Sequence, residues 1–367
     1  MTNSANWASL GASWLQSGAI LGVSNGRVLL GAGTLQRSSR PDFQAGGQAS
    51  FYAPDFFVSH EKPWLNFETT FEVSTLELLQ HLTELNLSSS VEPLQWPAPP
   101  KDRFERAFDY LQNEIRQGVL EKGVPFTFER AQAAMTPARL LASLKAMLTY
   151  ALERPVMPYG FWENQEGMLG CTPELLFRRD GKSIRTMAMA GTRRHDEQGR
   201  LPLLDDPKER REHQLVINSI ANELQPFGEV IVGMTEVAVL PQLSHLKTLI
   251  ELRPEKSDVS FDELIRALHP TPALGAFPRE AGWKWLKLLE SQNDLQRGRY
   301  GAPFGAAWKD AQGEDQGLAV VAIRNVQWQD ERILLCAGCG VIAESEFERE
   351  WQEVNGKIRA VKGILAL

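Results

Sequence analysis

Cysteine is scarce in this sequence. The three residues, Cys171, Cys336 and Cys339, are too few and odd in number for a disulfide framework, which points to a reducing compartment. Long apolar runs are missing too: no stretch of about 18 residues is apolar enough to span a bilayer. The opening "MTNSANWASLGASW" has neither a basic start nor a long apolar segment behind it. No secretory leader is therefore expected, and a cytoplasmic placement is. Positive charge does not dominate: the net charge is −7, which argues against a nucleic-acid-binding surface. No fixed-period repeat or low-complexity tract occurs. Two further signals are incomplete. "GAGTLQRSSR" (31–40) starts like a phosphate loop but lacks the Gly-Lys-Ser/Thr ending. Cys336 and Cys339 form one C-x-x-C, and without a second pair it lacks the four ligands of a zinc site.

What is present is ordinary globular material. Apolar residues make up 43% and charged residues 23%, ample for the core of one large domain or two to three ordinary ones. Residues 1–100 mix short strand-like runs with turns. "SSSVEPLQWPAPPK" (88–101) is the best linker candidate, being rich in Ser and Pro. "DRFERAFDYLQNEIRQGVL" reads as an amphipathic helix with Phe104, Phe108, Leu111 and Ile115 on one stripe. Further helices are expected near 137–152, 207–223, 261–268 and 345–362. Strand-like runs lie between them: two alternating runs around the turn "RDGK", then "EVIVGMTEVAVLP", "GLAVVAIRNVQW" and "ERILLCAGCGVI". Helices cluster between blocks of strands, which suggests an α+β fold with large antiparallel sheets.

Two acidic pairs then stand out about 140 residues apart: Glu209 and Glu212 in "DPKERREHQLV", Glu350 and Glu353 in "ESEFEREWQEVNGK". Asp206 can cap the first helix with Pro207 in its first turn, and Glu209 then falls at the capping-box position. Glu212 lies one turn on, on the same face. Ser345 with Glu348 suggests a capping box for the second helix. There Trp351, Val354, Ile358 and Val361 make an apolar stripe, while Glu350, Glu353 and Lys357 make a separate one. An acidic stripe can simply be a solvated face. Two converging ones would repel and raise each other's pKa, which a hard divalent cation such as Mg2+ would relieve.

The chain resembles the chorismate-utilising enzymes, a family that includes isochorismate, salicylate, anthranilate and aminodeoxychorismate synthases. Nine segments over roughly residues 100–367 carry the resemblance, in the family's order: "GVLEKGV", "GCTPELLFRRDG", "MAGTRR", "DPKERREH", "LSHL", "LHPTPALGAFPR", "RGRYGAPFG", "AIRN" and "CAGCGVIAESEFEREWQEVNGK". It implies an α+β fold of two large antiparallel sheets packed as a sandwich with surrounding helices. Residues 1–100 would be its strand-rich N-terminal part, and 101–367 the catalytic region. The substrate would be chorismate, and no obligatory protein partner is expected. Mg2+ would be held by Glu212 and Glu353, with Glu209 and Glu350 supporting through water. Arg324 and Lys357 would clamp substrate carboxylates, helped by backbone groups near Gly191, Thr192, Gly338 and Gly340. Lys122 would be the general base for water and Glu174 the general acid. His269 would orient a ring hydroxyl, and His245 either does likewise or is structural. Ala190 stands where aminodeoxychorismate-forming members often carry a lysine nucleophile. The best match is isochorismate synthase. A salicylate synthase, an ammonia-dependent synthase component and an inactive chorismate-binding subunit remain open.

Overall fold

The computed structural model describes residues 7–367 except 25, 44–47, 86, 88–90, 195–201, 240–242, 256–258, 294–296 and 311. Among the described residues, fifteen strands form one continuous sheet. In ladder order they are Gly228–Val239, Leu243–Pro254, Ser183–Arg194, Leu175–Asp180, Asp315–Val321, Pro303–Lys309, Ala49–Tyr52, Trp64–Ser74, Arg27–Ser38, Ser17–Ser24, Met157–Glu163, Glu166–Thr172, Asn325–Gln329, Arg332–Gly338 and Phe126–Gln132. The pairings within it are antiparallel.

This ladder folds over on itself. Phe304 and Phe161 stack at 6.5 Å between ring centroids, although four strands separate theirs in the hydrogen-bonding order. Tyr159, Phe51 and Phe67 complete that inner layer. Burying each such ring contributes roughly 1.5–3 kcal/mol. The two packed layers expected from the sequence are thus present, joined edge to edge into one sheet. Strands from residues 17–74 lie in its middle, between strands drawn from residues 157–172 and 303–321.

Helices Lys101–Arg116, Pro137–Leu152, Pro207–Leu224, Phe261–Leu268 and Phe347–Leu365 fall where the periodicity placed them. Thr75–Glu84 and Arg279–Asn293 are further helices that pattern reading did not single out. "GLAVVAIRNVQW" is two strands rather than one, broken at Ala322–Arg324. There Arg324 takes a left-handed φ of 55°, uncommon for a residue with a side chain. Of the linker candidate, residues 88–90 lie outside the described residues. The rest runs without regular structure, with Leu94 and Trp96 half-buried against the core. Among the described residues no helix is long and apolar enough to cross a membrane.

Candidate active site

Two helix N-termini meet over the ends of the strands. Asp206 caps the first, accepting from the backbone N–H groups of Lys208 and Glu209. Glu209 does not reciprocate as a capping box would. Its carboxylate accepts from the Thr192 N–H at 2.8 Å and pairs with Arg349 at 3.0 Å, an arginine of the other helix. The second helix starts at Phe347 with Glu346 at its cap and no side-chain capping bond. Ser345 accepts instead from the Ile342 N–H. The Ser345–Glu348 capping box is therefore not formed, because the chain stays extended past Ser345.

Neither acidic stripe is a solvated face. Glu209, Glu212 and Glu350 are buried, and the Glu353 side chain is 15% exposed. Burial, reinforced by the Glu353 carboxylate, pushes Glu350 up to about 7 against the pull of Lys208. Burial also raises Glu209, with Glu212 adding to the rise. Burial acts upward on Glu353 too, but the Lys357 ammonium overrides it and holds that carboxyl below its usual value. Ammonium groups balance the cluster: Lys122 on Glu212 at 2.8 Å, Lys357 on Glu353 at 2.7 Å and Lys208 on Glu350 at 3.0 Å. The donor set is all carboxylate oxygen, which suits a hard divalent cation. Among the described residues, however, no three ligating side chains already stand at metal-binding spacing.

Beside the cluster lies a small cavity, open to solvent, lined in part by Lys122, Glu174, Thr192, Glu212, His245, Tyr300, Arg324, Glu353 and Lys357. Lys122 sits in the two-residue strand Lys122–Gly123, which pairs with Ala276–Phe277. Gly123 is also bridged to Val341, so Pro125 falls beyond that pairing and does not displace the lysine. Glu174 follows Pro173 at the break between two strands, is 4% exposed, and has its carboxyl pushed up to about 7 by burial despite Lys122, Arg324 and Lys357. Arg324 reaches the cavity from its left-handed turn. Among the described residues nothing pairs with its guanidinium within salt-bridge distance, and burial lowers its pKa. Lys357 also donates to the Gly338 carbonyl at 2.8 Å.

Two glycines are required by close approach. A Cβ on Gly340 would stand 2.1 Å from Glu212 Oε1. Gly191 adopts a φ of 75° in a bulge of its strand, a conformation glycine takes without strain. That bulge turns the Thr192 N–H onto Glu209. Thr192 is thereby committed to protein partners, since its hydroxyl also meets His245 Nδ1 at 3.0 Å.

His269 stands apart from the other expected site residues. It does not line the cavity: its Nε2 meets the Phe56 carbonyl at 2.6 Å and its ring packs on Phe56. Burial pushes it down to about 4, so it is a neutral, internally satisfied histidine. His245 does line the cavity, held neutral by burial with its pKa down to about 3. Cys336 and Cys339 are both buried free thiols, and burial pushes Cys336 up to about 12. Sequence reasoning missed Tyr300 and Lys208. Tyr300 belongs to "RGRYGAPFG", one of the nine segments. Lys208 had its own signal, a cation in a helix's first turn, where the dipole disfavours it.

Comparison with known proteins bears on the family and the fold. A family model described as "Chorismate binding enzyme" matches residues 43–366. The salicylate biosynthesis isochorismate synthase of Pseudomonas aeruginosa is 39% identical over 207 residues, 54% of this chain and 42% of the relative. The isochorismate synthase MenF of Bacillus subtilis is 31% identical over 275 residues, 71% of this chain and 54% of the relative. The match thus spans about half the length of these curated relatives. The solved menaquinone-specific isochorismate synthase MenF of Escherichia coli superposes with a TM-score of 0.73, covering 96% of this chain and 91% of that one. At 19% identity this likeness speaks for the fold.

Proposed function

The chain belongs to the chorismate-binding enzyme family, and from that premise we propose that it is an isochorismate synthase, converting chorismate to isochorismate with Mg2+ as cofactor. One observation carries the reading. Lys122 and Glu174 line the same cavity as the cations Arg324 and Lys357, so a base, an acid and a clamp for a dianion share one cavity.

The chemistry follows from those groups. Arg324, which no carboxylate meets within salt-bridge distance among the described residues, offers a planar fork to a substrate carboxylate. Lys122 takes a proton from the water that attacks C2. The electron pairs of both ring double bonds shift round the ring and the C4–O bond breaks. Glu174, kept protonated near neutrality by burial, donates its proton to the departing hydroxyl, which leaves as water. One water enters and one leaves, so the product is an isomer of the substrate. Only the neutral amine of a lysine can take that proton. A divalent cation held by Glu212 and Glu353, with Glu209 and Glu350 behind them, would neutralise the acidic cluster and fix one substrate carboxylate. The curated relatives support the reading, since both are isochorismate synthases by name.

The test is product identification. Purified protein, chorismate and Mg2+ in 18O-labelled water should give isochorismate carrying one heavy oxygen. Release of pyruvate with salicylate would replace this reading by a salicylate synthase, and tight chorismate binding without turnover would remove the enzymatic one.

A further inference from the structure

Lys208 is half-buried against the acidic cluster, yet it does not line the cavity and no step of the reaction uses it. Its Nζ stands 3.0 Å from Glu350 Oε1 and 3.6 Å from Glu209 Oε1. It thus spans the two helices that carry the E-x-x-E pairs. The carboxylate side chains it touches are 2% and 1% exposed, and its own is 15% exposed. Glu212 adds to the attraction. The residue also sits in the first turn of its helix, where the dipole opposes a cation. Its placement is set by the carboxylates across the gap.

We propose that Lys208 is a built-in stand-in for the divalent cation: its ammonium occupies the gap between Glu209 and Glu350 when no metal is bound, and it swings outward when the metal enters. The inference rests on the metal reading given above. Its physical basis is that the Lys208 ammonium holds the oxygens of Glu209 and Glu350, the same oxygens that would take hydrogen bonds from the water of a cation seated on Glu212 and Glu353. Those oxygens cannot serve both at once, so each weakens the other's binding. The stand-in keeps four converging carboxylates from repelling one another before loading. It also makes the metal's apparent affinity weaker than the bare donor set would give, by the work of expelling the lysine.

The experiment uses the full chain with Mg2+ alone and no substrate. Calorimetric titration should show Mg2+ binding about tenfold or more tighter in Lys208→Met than in the unaltered protein. Lys208→Arg, which keeps the charge, should not show that gain. Removal of the ammonium also leaves the cluster less balanced, so Mg2+ should raise the melting temperature more in Lys208→Met than in the unaltered chain. If Lys208→Met folds too poorly for titration, acetylation of the unaltered protein read by mass spectrometry decides. Labelling of Lys208 should accelerate when Mg2+ is added. Equal or weaker Mg2+ affinity in Lys208→Met, or Lys208 labelling unchanged or slowed by Mg2+, overturns the stand-in and leaves the metal site standing. If neither protein binds Mg2+ while isochorismate still forms, the metal reading falls and the stand-in falls with it.

Discussion

Gly340→Ala offers a test that removes no proposed catalytic group. The added methyl would stand 2.1 Å from Glu212 Oε1 and 3.0 Å from both Cε and Nζ of Lys122. Real Cβ contacts essentially never fall under 3.0 Å, so the carboxylate oxygen must retreat from 2.1 Å to at least 3.0 Å, about 0.9 Å. All three obstructing atoms lie at the ends of flexible side chains, and Gly340 has no left-handed φ, so the fold can absorb the methyl by turning them aside. The consequence falls on function, because those two side chains are the proposed base and a proposed metal ligand, locked together at 2.8 Å. A misplacement of about 1 Å can cost about 10²-fold in rate, or about 2.7 kcal/mol of barrier. The expected result is a thermal melt close to that of the unaltered protein with kcat/KM for isochorismate formation down about 100-fold, followed by chromatographic separation of the two isomers. Near-normal kcat/KM would refute the reasoning, because the Lys122–Glu212 arrangement would then be dispensable. A collapse of the melting transition would refute the claim that the site can yield without the fold.

Other outcomes follow from the same cavity. Lys122→Gln and Glu174→Gln should each lose about 10²–10⁴-fold in turnover while still binding chorismate, checked by initial rates and equilibrium dialysis. Because burial places Glu174 near pH 7, its proton is present below that pH and lost above it. The kcat/KM profile should therefore fall as pH rises through about 7, and that limb should vanish in Glu174→Gln. Arg324→Lys turns a planar fork into a point charge, so KM for chorismate should rise, unless the guanidinium does not touch substrate. Glu212→Ala should abolish activity and also destabilise the protein by about 3–5 kcal/mol in a denaturant melt, because it strands the buried Lys122 without its partner.

The last of these turns on the burial of Glu212 and Lys122, and burial is where sequence reading stops. An E-x-x-E stripe tells which side chains share a helix face. It carries no information on whether another face closes over it, since that depends on contacts about 140 residues away along the chain. The helices were legible because their stripes are periodic and Asp206 and Pro207 announce a start. The fold was legible because nine segments occur in one order. His269 was not, because a histidine in a family segment looks the same whether it faces the cavity or the Phe56 carbonyl. Arg324 was placed as a clamp by resemblance alone. Its physical reason, a break between two strands with a left-handed backbone that turns the guanidinium inward, is invisible in "AIRN". Lys208 sits at the other extreme. Its unfavourable place at a helix start was readable from "DPKERREH" by elementary electrostatics, and the partner that compensates it, Glu350, belongs to the other acidic pair. A residue that breaks a local rule is held there by something non-local, and here the broken rule marks the point where the two glutamate pairs meet.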